Sequence, residues 1–206
     1  MQQLNQAETD NMTPADLLPL FYEKNKLGDD GGLSSPVVRI EVNKSFHFYM
    51  PNYDARRKAV LWHDIHHLAT GYSAATFLGE CEISAWEIAS GCGKYWAAFI
   101  IDTSGVVLGC LINPRKIIQA YARGRRSSNL YHDTFQVEKV MKMSIIEIRQ
   151  NIGLDKAPIE SKVSAKDLFS LGVFLIFGGL YSLVSILQIP LLIVYNIWYA
   201  VKRKIF

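Results

Sequence analysis

At 206 residues, half of them hydrophobic and a fifth charged, the chain can bury a sizeable core in one domain and still carry an appendage. A formal net charge of +3 is too small to argue for a nucleic-acid partner, and none is expected. The three cysteines, Cys81, Cys92 and Cys110, form no C-x-x-C pair, which argues for reduced, structural thiols in a cytosol-facing domain.

Residues 1–12 are polar, lack the basic and apolar regions of a signal peptide, and are expected to be disordered. Thr13-Pro14-Ala15-Asp16 is a helix start, with a hydroxyl cap, a proline in the first turn and an acid at the positive end of the dipole. That helix is expected to run to about Leu27 and to stop at Gly28, with 29–36 as loop. From Val37 to Tyr49, β-branched and aromatic residues partly alternate with polar ones, the pattern of a short hairpin or extended arm; His47, between Phe46 and Phe48, reads as a packing residue.

The stretch from Asp54 to Ser90 reads as two helices, 55–70 and 76–90, capped by Asp54 and joined around Gly71-Tyr72-Ser73. Three of the five histidines fall in its first half, at positions 63, 66 and 67. At about 100° per residue, Asp64 and His67 lie in one arc with His63, while His66 falls about 60° the other way. In the second helix Glu80, Ser84 and Glu87 share a face. An antiparallel pair would bring His63, Asp64, His67 and Glu80 together. Two imidazoles and two carboxylates suit a divalent metal, zinc before iron or manganese.

Two other motifs compete for these letters. His63-x-x-His66-His67 imitates one histidine box of membrane desaturases, but their di-iron centres need more histidines than the five present. His63-Asp64 also matches the doublet of metal-dependent phosphohydrolases, with His47 and Asp102 available as the remaining ligands.

Downstream, Gly91-Cys92-Gly93 breaks the chain, and Lys94 to Leu111 is apolar enough for a core helix, with a possible interruption at 102–105. Asn113-Pro114 opens another helix, to about Arg123. No acidic residue occurs between Thr103 and His132, so Arg123, Arg125 and Arg126 are expected to meet anionic lipid headgroups or the phosphate of a polyisoprenoid. One or two amphipathic helices follow from Phe135 to Asn151. Residues 156–166 read as a linker after a helical domain spanning 13–155.

From Leu168 to Val201 no side chain except tyrosine is ionisable, a run far longer than the roughly 20 residues that cross a bilayer. Gln188-Ile189-Pro190 divides it, and lysines flank both ends, so residues 167–206 are expected to form a membrane anchor. A re-entrant hairpin with both ends on the cytoplasmic face is preferred, with a single span plus an interfacial helix as the alternative.

His63-Asp64-x-x-His67, the Thr70-Gly71 turn and Gly79-Glu80 resemble the signature of the coenzyme Q biosynthesis protein Coq-four family. Twelve residues separate His67 from Glu80, one more than in the family pattern. A second block, Tyr121 to Leu130 followed by Ile148-Arg149 and Gly153-Leu154, resembles that family's basic helix and closing segment; the likeness covers residues 55–155. The resemblance implies an all-α, membrane-associated metalloprotein of ubiquinone or related isoprenoid-quinone biosynthesis. Its metal, usually zinc, would be held by His63, Asp64, His67 and Glu80, and its substrate would be a prenylated quinone precursor. It also implies oxidative decarboxylation and hydroxylation of the ring, with other quinone-biosynthesis proteins as partners. A non-catalytic lipid-binding scaffold is the alternative. The fold expected is therefore a helical bundle with a metal site between two antiparallel helices and a C-terminal hydrophobic membrane segment, the metal domain facing the cytoplasm or an organelle interior.

Overall fold

The computed structural model describes residues 6–41, 47–186 and 189–205, and these are mostly helical. The elements in chain order are α1 (Gln6–Asn11), α2 (Pro14–Asn25), β1 (Val37–Glu41), β2 (His47–Pro51), α3 (Asp54–Thr70), α4 (Phe77–Ser90), α5 (Trp96–Ile112) and α6 (Pro114–Gly124). They continue with α7 (Val137–Val140), α8 (Ile145–Asn151), a 3-10 turn at Leu154–Lys156, α9 (Ala165–Ile186) and α10 (Ile189–Ile205). The two strands pair antiparallel, Val37 opposite Pro51 and Arg39 opposite Tyr49.

Local chemistry sets most of these boundaries. At α2 the Thr13 hydroxyl accepts from the Asp16 N–H (3.3 Å) while the Asp16 carboxylate accepts from the Thr13 N–H (3.2 Å), a reciprocal cap that Ser144 and Glu147 repeat at α8. Asn113 caps α6 through the Lys116 N–H, with Pro114 at the first helical position. At α3 the cap position is Tyr53, without a side-chain bond, and the expected cap Asp54 instead pairs with Arg57 inside the first turn (2.9 Å).

Helix α4 is the centre of the bundle, packed between α5 and α6, with Cys81, Ile83, Ala85 and Trp86 wholly out of solvent. Close approach depends on glycines: a Cβ at Gly105 would run into the Ser84 side chain, and one at Gly124 into the Trp86 carbonyl. Gly105 therefore does not interrupt α5, as its sequence context suggested; the helix continues through it because the missing side chain lets α4 fit.

Two segments behave differently from expectation. Of the N-terminal twelve residues, those from Gln6 are described and helical. Asp10 pairs with Arg149, and the Met12 carbonyl accepts from the Ile145 N–H (3.0 Å), which ties α1 to α8. The 156–166 segment buries Ala157 and Ser161, and α9 then lies on the bundle through buried Leu171, with Phe174 against Tyr121 and Phe99. Among the described residues no helix is long and apolar enough to cross a membrane. Gln188, where the tail was expected to divide, lies outside the described residues. Asn196 of α10 joins β2, accepting from the Tyr49 N–H (2.8 Å) and donating to its carbonyl (3.0 Å).

Asp167 fixes the start of α9. Burial would raise its carboxyl, but Ser164, through its backbone N–H and hydroxyl (both 2.8 Å), and Arg126 (2.7 Å) hold it down to about 2. A depressed carboxylate contributes stability above its unfolded value, and that contribution is lost as pH falls from about 4 through 2. Asp167→Asn is therefore expected to cost up to about 2 kcal/mol at pH 6. Denaturant titrations should show the gap to the wild type closing towards pH 2.

Candidate metal centre

In α3, one helical turn separates His63 from His67, so both rings leave the same side. Helix α4 begins at the Thr76 cap, whose hydroxyl accepts from the Gly79 N–H (3.1 Å), and this places Glu80 in the first turn. Gly79 has the Ser73 carbonyl where a Cβ would stand, so the joining loop lies against the start of α4. The two helices return on each other: Glu80 meets His67 near the end of α3, and Glu87, two turns further on, meets His63 and His66.

The donor atoms converge closely. His63 Nε2 is 3.2 Å from His67 Nε2 and 3.3 Å from Glu80 Oε2, and His67 Nε2 is 3.4 Å from Glu80 Oε1. His67 Nδ1 lies 3.0 Å from the Tyr72 carbonyl, which can only accept, so Nδ1 carries a proton and Nε2 is turned towards Glu80. His63 Nδ1 is 3.1 Å from both oxygens of Glu87, leaving its Nε2 for the same point. Both imidazoles thus have the outward nitrogen engaged and direct Nε2 to one point, the arrangement in which histidines hold metals.

Asp64 is placed beside this triad rather than in it: the three-donor set contains His63, His67 and Glu80. Its Oδ2 is nevertheless buried without a hydrogen-bond partner, next to Gly31, where an added Cβ would come within 3.1 Å. Burial, opposed by His63 and His67, raises the Asp64 carboxyl to about 6. The three donors of His63, His67 and Glu80 fit a divalent cation, and Asp64, turned towards Tyr22 and Gly31, is not among them.

Without a bound ion, a proton on His63 balances the carboxylates, and a metal would have to displace it. Burial works against ionised Glu80, but His63 and His67 more than offset it and bring it to about 2, with 41 % of its side chain still open to solvent. Burial likewise opposes a charge on His63, yet Glu87 and Glu80 hold it well above the ordinary imidazole value.

His66 has a different task. Its Nε2 accepts from the Leu130 N–H (2.9 Å), its Nδ1 donates to Glu87 Oε1 (2.6 Å), and its ring is packed edge-on against Trp86 and Tyr131. Glu87, fully buried, also accepts from the Tyr131 hydroxyl (3.2 Å). Burial and the Glu87 charge push Asp102 well above the carboxylate range, so that of these two neighbours Asp102 is the neutral acid; Cys92 donates to it weakly (3.7 Å). His63, Glu87 and Asp102 make a second cluster of potential ligand atoms. His47 lies exposed on β2 against Tyr49 and joins neither set, so the phosphohydrolase constellation is not brought together.

The basic stretch is not a surface patch. Arg123 is buried, with Nε on the Ala157 carbonyl and Nη1 on the Thr70 carbonyl (both 2.8 Å), its guanidinium over the Tyr72 ring. Arg125 and Arg126 both pair with Asp167 (3.0 and 2.7 Å), about a third exposed. The acid they lacked in their own stretch comes from α9, more than forty residues on.

Sequence reasoning singled out Glu87 by its spacing from Glu80 but gave it no role. The parts played by Tyr131, Leu130 and Gly31 carry no local signal, because each reaches the site from a distant segment. Compared with known proteins, the chain matches no family profile, no curated protein and no solved structure.

Proposed function

We propose that this chain is a membrane-associated metalloprotein of isoprenoid-quinone biosynthesis, acting on a prenylated aromatic acid. The observation that carries the metal part is the convergence of His63 Nε2, His67 Nε2 and Glu80 within 3.4 Å. The resemblance of His63-Asp64-x-x-His67 and Gly79-Glu80 to the coenzyme Q family signature supplies the substrate class. A divalent ion, zinc before iron or manganese, would supply Lewis-acid binding of the substrate carboxylate or of an oxygen ligand.

The chain's own groups set the terms. Solvent-reaching Glu80 leaves one side of the donor set accessible, which favours a reacting site over a closed structural one. Leu61, Trp62, Tyr95, Trp96 and Phe135 line a cleft of about 650 Å³ edged by Arg57, Lys58 and Lys94, one turn of α3 before His63, and none of the three converging ligand residues lines it. In the reaction proposed, the bond from ring to carboxyl carbon breaks and carbon dioxide leaves. A carbon–oxygen bond forms at the vacated position with water supplying the oxygen, and dioxygen takes up the two electrons and leaves as hydrogen peroxide. The test is to incubate metal-loaded protein with a prenylated aromatic acid labelled in its carboxyl carbon. Release of labelled carbon dioxide with appearance of the phenol supports the enzyme; metal bound with no turnover leaves the non-catalytic scaffold.

Membrane association is proposed through α9 and α10, supported by strongly exposed Phe169, Ile176, Phe177, Leu191, Val194 and Trp198. Because Leu171 and Asp167 belong to the bundle, deleting the whole tail would open the core. Replacing Phe169, Ile176 and Phe177 by Ser is the cleaner change. It is expected to lower flotation of the protein with lipid vesicles severalfold while leaving its metal content unchanged, and equal flotation would remove the membrane reading.

A further inference from the structure

We infer that Glu87 is a positioning residue for the metal centre, its carboxylate holding the His63 ring so that Nδ1 carries the proton and Nε2 is presented to His67 and Glu80. The inference rests on the metal reading above and adds to it the group that decides which nitrogen of His63 is available.

The geometry is specific. Both Glu87 oxygens lie 3.1 Å from His63 Nδ1, so either can accept its proton. The carboxylate is itself immobilised: Oε1 accepts from His66 Nδ1 (2.6 Å) and from the Tyr131 hydroxyl (3.2 Å), and His66 is in turn held by the Leu130 N–H. Glu87 is wholly out of solvent, on the helix at the centre of the bundle, and is backed by Asp102. His67 has its Nδ1 fixed by a carbonyl of the adjoining loop, a local contact five residues away. His63 has no such local partner, and its orientation comes from 24 residues further along the chain. A carboxylate that receives the outer N–H of a ligating histidine sets the ring's tautomer and raises its basicity, and losing it typically weakens metal binding 10–100-fold. The rival role for Glu87, as a direct ligand with His63 and Asp102, would require displacing the N–H and O–H donors that already occupy its oxygens.

The first test uses the full chain and zinc. Histidine ring nitrogens are followed by long-range proton–nitrogen NMR as zinc is added; His63 is expected to keep its proton on Nδ1 and to bind through Nε2. Cobalt titration then compares variants. Glu87→Gln keeps the side chain's size and an oxygen for His66 and Tyr131 but turns an N–H group towards His63 Nδ1, which favours the tautomer with Nε2 protonated. It is expected to weaken cobalt binding about 10–100-fold and to change the visible absorption of the bound ion. Tyr131→Phe removes one donor that steadies the carboxylate but keeps the acceptor of the His63 N–H, and is expected to weaken cobalt binding less than Glu87→Gln does. Binding of zinc through His63 Nδ1, two zinc ions per chain, or a Glu87→Gln variant equal to the wild type would each overturn the inference. Should Glu87→Gln fail to fold, the wild-type NMR result decides alone. A wild type that takes up no metal would instead defeat the metal reading, and this inference with it.

Discussion

Changing His63 and His67 together to Ala is expected to abolish metal binding, whereas His66→Ala, one residue away, leaves most of the metal and damages the fold. The first two present Nε2 to Glu80 at 3.3 and 3.4 Å, and their removal takes away two of the three converging ligand atoms. Metal at about 100 times its dissociation constant stabilises a folded site by roughly 2.7 kcal/mol. For a chain of this size that raises Tm by about 5–10 °C. The wild type should show that rise on adding zinc, His66→Ala, which keeps all three ligands but loosens Glu87, a smaller one, and the double variant none. His66 has no exposure, and its loss orphans the Leu130 N–H and opens a space between Trp86 and Tyr131. Its baseline stability should therefore fall by about 3 kcal/mol. Elemental analysis and thermal melts of the three proteins check both halves; a zinc-dependent rise in the double variant would dismiss the site.

Arg123→Ala is the second large effect. In the structure this guanidinium bonds the carbonyls of Thr70, at the end of α3, and Ala157, in the segment leading to α9, so one side chain joins two elements to α6. Truncation leaves both carbonyls buried without partners, at about 1–3 kcal/mol each, and removes a cation from the Tyr72 ring. A loss of about 3 kcal/mol is expected, with a fall in Tm of about 6–12 °C. Arg123→Lys should recover little, because an ammonium cannot span two carbonyls in the planar fork geometry of a guanidinium. Arg125→Ala, at a third-exposed ion pair, should cost under about 1 kcal/mol. If Arg123→Ala melts like the wild type but loses vesicle binding, the headgroup role expected from the sequence is restored.

The candidate metal site was legible because its ligands are local. His63 and His67 lie within five residues of one helix, and Glu80 follows a short loop at the start of the next. Helical periodicity alone separates His66 from its neighbours, and the caps at Thr13, Asn113 and Ser144 are equally local signals that need no partner from elsewhere.

The sequence by itself determined the helical class, most element boundaries and the pair of helices that bear the ligand candidates, since each depends on hydrogen bonds and spacings within about one or two turns. Only the tertiary structure decided what the charged residues do. Glu87 is a carboxylate shared by three rings because α3 and the 130–131 segment close over α4. Arg123 is a buried tie and not a lipid contact because its carbonyl partners arrive from 53 and 34 residues away. Gly105 is a packing surface and not a break because α4 needs its room. The cost of burying a charge depends on which groups surround it, and those groups are brought together by the fold from segments that share no periodicity with one another.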